Sequence, residues 1–208
     1  MFLYNEVQKR EANQERVRVG LIGAGKFGSM FLSQVPFTIG LEVISIVDIC
    51  VENAKKNCRD VGWTKEQIES VLFFDNLKKM VSQTKIDVLV EATGDPIEGT
   101  RHALIAIEEG LDIVMVNVEA DVLSGPYLAK EADKAGIVYS MAYGDQPALT
   151  TELVEWARAS GFNVVAAGKG TKYLPQYHYS TPDTVWDYYG INREAVSYTH
   201  LTLPTNLC

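Results

Sequence analysis

Three glycines in the pattern Gly-x-Gly-x-x-Gly, Gly23-Ala24-Gly25-Lys26-Phe27-Gly28, stand directly behind the apolar run Val17–Ile22 and open a helical stretch. Residues of this type in this place bring backbone N–H groups up to a phosphate. Gly23 permits the tight turn, Gly25 lets the main chain approach a pyrophosphate, and Gly28 lets helix and strand pack closely. With Ala24, Lys26 and Phe27 they form the expected dinucleotide-binding loop. Unpaired N–H groups at the helix start face the phosphates there, helped by the helix dipole. A glycine-rich turn without a ligand is the plainer reading of the same letters.

Asp48 closes the second apolar run, twenty residues beyond Gly28. A carboxylate there accepts hydrogen bonds from the adenine-ribose hydroxyls, and a 2′-phosphate would meet like charge. The next residues are Ile49-Cys50, with no arginine, so NAD is expected over NADP, with NADP left open. Lys55 and Lys56 could serve a phosphate, although a solvated helix face suits them too. Glu91-Ala92-Thr93-Gly94-Asp95 follows the run Val88–Val90. Ligands of doubly wound sheets sit beyond the carboxyl ends of the strands. Thr93 and Gly94 are therefore expected beside the nicotinamide half of the cofactor. A helix starting at Asp95-Pro96 explains the same stretch.

The elements that must hold these residues are legible as alternating patterns. Strands are expected at Val17–Ile22, Val43–Val47, Val71–Phe74, Val88–Val90, Ile113–Val116, Ile137–Ser140 and Val164–Ala166. Helices are expected near 26–35, 52–60, 76–83, 97–110, 122–135 and 147–160. Most of the strands are continuously apolar, as in a sheet covered on both faces. Gly110, Gly136 and Gly161 follow helix ends, where a left-handed residue is wanted. The pattern predicts an α/β fold, a Rossmann-type doubly wound parallel sheet. Residues 1–15 read as a helical extension, 16–145 as the dinucleotide-binding domain and 146–195 as part of a catalytic domain.

Composition excludes other classes. The 208 residues carry 19 basic and 27 acidic side chains, a net charge of −8, which disfavours nucleic acid as a partner. Cys50, Cys58 and Cys208 have no metal or disulfide spacing, so a reducing, cytoplasmic setting is expected. No His/Asp/Glu spacing suggests a metal. The N-terminus has no signal-peptide core, and no run approaches a membrane span. Val196–Cys208 contains no charge, and VSYTHLTLPT resembles a translated sequencing-adapter read-through. The last thirteen residues are therefore expected to be a non-native tail, with the natural protein continuing past Ala195.

With GLIGAGKFG, EATGD, VNVEADVLSG, YGDQPAL and AAGKGTKYLP in view, the chain resembles the homoserine-dehydrogenase-like oxidoreductases that carry a C-terminal SAF domain. The resemblance covers about residues 1–195 and is most specific from Gly144 to Tyr189. It implies NAD(P)-dependent oxidoreduction at a carbon bearing a hydroxyl or carbonyl. It also implies a catalytic domain cut short and a missing SAF module.

One departure matters. Homoserine dehydrogenases place Asn-Lys after the fifth strand, and glucose–fructose oxidoreductase relatives place Glu-Lys-Pro. Here the stretch is Val118-Glu119-Ala120-Asp121, with Ala120 in the lysine's position. Asn117 and Glu119 remain near the expected nicotinamide. Acyl-enzyme chemistry is excluded, since no cysteine lies between Cys58 and Cys208. Proton transfer then falls to other groups. Lys169 and Lys172, in Gly168-Lys169-Gly170-Thr171-Lys172, replace the Asn-Gly-Thr segment of homoserine dehydrogenases, and Thr171 is a further contact. An ammonium there can stabilise a developing alkoxide, while two solvated lysines are the bland alternative. Asp145 could hold a lysine or take the proton through water, or simply begin a helix. His178 is another candidate.

The expected function is an NAD(P)-dependent oxidoreductase acting on a small polar hydroxy or oxo compound. The rival is a non-catalytic dinucleotide-binding regulator or scaffold. A small-molecule substrate is the expected partner, and a homo-oligomer is left open.

Overall fold

The computed structural model describes residues 3–144 and 146–168, together with Pro175, Tyr179, Thr181, Asp183 and Thr184. They divide into two compact units, with the break between Ala142 and Tyr143.

The first unit opens with helix α1 (Leu3–Ala12) and strand β1 (Val17–Ile22). Helix α2 (Lys26–Gln34) and a 3-10 turn lead into β2 (Leu41–Val47), α3 (Val51–Asp60), α4 (Lys65–Glu69) and β3 (Leu72–Phe74). Then come α5 (Leu77–Gln83), β4 (Val88–Glu91), α6 (Pro96–Glu108), β5 (Asp112–Met115), α7 (Val118–Ala135) and β6 (Tyr139–Met141). The strands form one sheet in the order β3-β2-β1-β4-β5-β6, and all the pairings are parallel. This is the Rossmann-type doubly wound sheet the alternating pattern predicts.

The strands are apolar on both sides because both sides are covered. Val19 and Leu21 of β1 pack with Leu32 of α2 and with Ala54 and Cys58 of α3. Ile22 belongs to the opposite cluster, with Met80 of α5, Ala103 and Ala106 of α6, and Leu128 of α7. Burying each large aliphatic side chain is worth roughly 1.5–3 kcal/mol. Together the two layers hold the sheet rigid beneath its carboxyl edge.

Three local differences from the sequence expectation have physical causes. Helix α7 begins at Val118 rather than near 122, because Asn117 caps it by accepting the Ala120 N–H at 3.0 Å. The short α4 was not foreseen; a Thr64–Gln67 capping box starts it. The strand expected at Val164–Ala166 is corrected: residues 162–168 have no regular structure, and Val165 is 89% exposed. An apolar run becomes a strand only beside an edge that accepts its hydrogen bonds. Among the described residues, nothing pairs with it.

The second unit contains α8 (Gln146–Ala159), followed by Gly161 with φ +87°. No helix among the described residues is long and apolar enough to cross a membrane.

Candidate functional site

The chain runs outward from β1 to β3 and then returns to place β4 against the other side of β1. The reversal opens a crevice at the carboxyl ends of β1 and β4, where Ile22 is in register with Glu91. The turns after β1, β2, β4 and β5 therefore share one edge. They carry Gly23–Gly28, Asp48, Thr93 and Gly94, and Asn117, so the first-unit residues singled out from sequence are brought together.

The glycine turn is shaped by close backbone approaches. Gly23 has φ +89°, and a Cβ on it would lie 3.1 Å from the Ala92 carbonyl group and the Thr93 Cα. A Cβ on Gly28 would fall 2.1 Å from the Gly23 carbonyl oxygen, so only glycine lets α2 sit this tightly on the turn. Gly25 differs: a Cβ there would have nothing within 4 Å. No side chain caps α2, and its first ladder bond runs from the Ser29 N–H to the Gly25 carbonyl at 2.8 Å. The N–H groups ahead of Ser29 thus have no intrahelical acceptor. A free space above an uncapped helix start fits a pyrophosphate. The side chains of Lys26 and Phe27 are exposed, so their part in such a loop lies in the backbone.

Asp48 is tied to that turn. Its Oδ2 accepts the Ala24 N–H at 2.9 Å, and its Oδ1 accepts the Cys50 N–H at 2.9 Å. The Ala24 carbonyl in turn accepts Asn57 Nδ2 at 2.8 Å and the Ser29 hydroxyl at 3.1 Å. Asn57 and Ser29 carried no motif signal. The bond from Asn57 depends on α3 packing beside α2, whereas Ser29 reaches the carbonyl from α2 itself. Lys55 and Lys56 are paired with Glu52 and Asp60, at 2.9 and 3.7 Å.

On the other side of the crevice, Gly94 adopts φ +79° and Thr93 is half-buried. Asn117 is 2% exposed, and its amide donates to the Asp95 carbonyl at 2.8 Å. Its side chain therefore joins the two turns. Glu119 is exposed on the first turn of α7 and lines a shallow cleft with Pro96, Val118, Val122 and Leu123. Ala120 is fully buried, and a Cβ on Gly99 of α6 would come within 2.8 Å of its methyl group. Position 120 thus faces the α6–α7 packing, which has no room for a lysine.

Behind these turns lies a second group that the motifs did not single out. Glu91 is fully buried and touches Thr93 and His102. Tyr139 donates to Asp121 at 2.8 Å, and burial followed by that bond pushes its phenol well above the ordinary value. The signal for Glu91 was an acid closing the apolar run Val-Leu-Val. Asp145, Lys169, Thr171, Lys172 and His178, and residues 196–208, lie outside the described residues. Among the described residues, no cluster of three His, Cys, Asp or Glu could hold a metal.

Known proteins supply the comparison. Residues 19–142 match the family described as "Homoserine dehydrogenase, NAD binding domain", and residues 144–202 match "Oxidoreductase DRL, catalytic domain". Among solved structures, the WlbA dehydrogenase of Bordetella pertussis, in complex with NADH and UDP-GlcNAcA, is 21% identical with a TM-score of 0.50. That match covers 70% of this chain and 40% of the other. The WlbA dehydrogenase of Chromobacterium violaceum gives 20% identity and a TM-score of 0.51, with the same coverages. A myo-inositol dehydrogenase of Lactobacillus casei, in complex with NAD(H) and myo-inositol, gives 18% and 0.50, covering 67% and 42%. At these identities the likeness is one of fold. The chain spans about 40% of the length of these structures. Comparison with curated proteins gives no match.

Proposed function

The chain belongs to the family of the homoserine dehydrogenase NAD-binding domain, and from that premise we propose that it is the cofactor-binding part of an NAD-dependent oxidoreductase acting on a small polar hydroxy or oxo compound. One observation carries this reading: the uncapped start of α2, with open space at Gly25, lies beside a carboxylate bonded to the same turn. In this reading the N–H groups of Gly25, Lys26, Phe27 and Gly28 hold the pyrophosphate, and Ala24, whose N–H is taken by Asp48, keeps the loop in shape. Asp48 accepts from the adenine ribose, which favours NAD and repels a 2′-phosphate. Thr93, Gly94 and Asn117 frame the nicotinamide end. The bound dinucleotide would exchange hydride with the substrate carbon; the protein's task is to position and polarise.

For the proton, we assign the substrate hydroxyl to Lys169 or Lys172, with Asp145 or Glu119 as supporting carboxylates. The Gly144–Tyr189 motif run lies inside the 144–202 match to the DRL catalytic domain, which supports an oxidoreductase catalytic domain there; the likeness to proteins with a SAF domain rests on the motifs alone. A cytoplasmic setting and a homo-oligomer belong to the same reading. The buried Ala120 favours a second one, a dinucleotide-binding regulator without turnover, because the family's usual lysine has no counterpart there.

Titration calorimetry with NAD and NADP, followed by assay on small polar hydroxy and oxo compounds in a protein extended through its catalytic domain, tests both. Replacing the operative lysine by Met should lower kcat about 10²–10³-fold with cofactor affinity little changed. NAD binding without turnover on any substrate would favour the regulator. Near-normal kcat in both lysine variants would remove the lysines from the reaction.

A further inference from the structure

Glu91 is the last residue of β4, and none of its side chain reaches solvent. Its Oε1 accepts the Thr93 hydroxyl at 2.5 Å and the Thr93 N–H at 3.3 Å. The ring of His102, on α6, approaches the same oxygen through Nδ1 at 3.1 Å. Oε2 is buried and has no partner. The fold does not require an acid at this level, since the register partner on β1 is Ile22 and β2 ends on Val47. A carboxylate withdrawn from water with one oxygen unpaired is a costly core residue.

What that carboxylate does is hold Thr93. The Thr93 hydroxyl oxygen also meets Asn117 Nδ2 and the Asp95 N–H, each at 3.4 Å, and Asn117 reaches on to the Asp95 carbonyl. One buried oxygen therefore anchors the turn after β4, and through it the turn after β5. We propose that Glu91 is a positioning residue which, backed by His102, fixes the Thr93 turn at the nicotinamide end of the cofactor site. The inference rests on the dinucleotide reading above. Small displacements of such a frame are felt where the ligand reacts. In that reading the adenine half is held by the glycine turn and Asp48, whose hydrogen bonds do not involve Glu91.

The test uses the whole chain and two ligands, NAD⁺ and ADP-ribose, the latter lacking nicotinamide. Glu91→Leu, which removes the acceptor, and Thr93→Val should each weaken NAD⁺ about 5–20-fold in calorimetry and leave ADP-ribose within about twofold. Thr93→Ser, which keeps the hydroxyl, should restore NAD⁺ binding. Glu91→Leu should lower Tm by no more than about 3 °C, because an apolar side chain of similar volume replaces a buried polar one. Equal losses for both ligands, unchanged NAD⁺ affinity in both variants, or a Tm fall above about 8 °C in both would overturn the proposal. An unmutated chain that binds neither ligand would instead overturn the dinucleotide reading beneath it.

Discussion

Asp48 and Ala24, 24 residues apart, are joined by a hydrogen bond of 2.9 Å from the Ala24 N–H to the carboxylate. With Cys50 on the other oxygen, Asp48 braces the glycine turn, and in the proposed function the same carboxylate accepts from the ribose. Each carboxylate oxygen has a second lone pair to offer, so the two roles are compatible. Removing the side chain should therefore act twice. Asp48→Ala should cost about 1–3 kcal/mol in stability, since the Ala24 and Cys50 N–H groups lose their acceptor. It should also erode a several-fold preference for NAD over NADP. Thermal melts and paired calorimetric titrations check this; equal affinities in the unmutated chain would refute the assignment of Asp48 to the ribose.

Gly25 and Gly28 should separate function from folding. Alanine at Gly28 puts a methyl group 2.1 Å from the Gly23 carbonyl oxygen and must push α2 away. A loss of about 1–3 kcal/mol, the usual cost of overpacking, should accompany the loss of NAD binding. Gly25→Ala meets nothing within 4 Å and should leave Tm nearly unchanged. It should still weaken NAD at least tenfold, because the methyl occupies the pyrophosphate's approach. Unaltered NAD affinity in Gly25→Ala would show that the space above α2 is not the phosphate site.

Arg18 and Asp87 give a pH-dependent contribution of known sign. The Arg18 guanidinium donates to Asp87 at 2.5 and 3.0 Å and its N–H donates at 2.8 Å, holding the Asp87 carboxyl below its ordinary value. A depressed folded value means the unfolded carboxyl takes up its proton first. The stabilisation is thus fully present above the ordinary value of about 4 and is lost as pH falls below it. The Asp87 side chain is 40% exposed, so the contribution should be at most about 1 kcal/mol. Urea denaturation of the unmutated chain and Asp87→Asn should differ by this amount near neutrality and converge in acid. A difference that grows in acid would contradict the assignment.

Cys58 is fully buried against Val19, Ala54 and Trp63, and burial pushes its thiol up to about 11. The thiolate is the reactive form, so this side chain should resist thiol reagents in the folded protein. Mass mapping should find label at Cys58 only after unfolding. Rapid modification under native conditions would mean that the α3 layer opens far more readily than its packing implies.

Some of this was settled locally in the chain, and some was not. Gly23, Gly25 and Gly28 could be read in advance because a strand, a turn and a helix start are adjacent in sequence, and the phosphate-binding geometry needs nothing else. The doubly wound sheet followed likewise from the apolar runs and helical stretches, whose periods reflect burial on two faces. Tertiary structure alone decided who meets whom at the sheet edge. Asn57 reaches the Ala24 carbonyl only because α3 lies beside α2. Ala120 is sealed under α6, and Asn117 turned into a cap, because α7 starts immediately behind that residue. Val164–Ala166 had the composition of a strand, but pairing is supplied by a neighbouring edge, and no local pattern encodes one. Glu91 shows the same division: its place at a strand end was legible, while its burial and its contact with His102 came from α6 folding back across β4. Periodicity records how much of a residue is buried; the partners it is buried against are set by long-range register and helix packing.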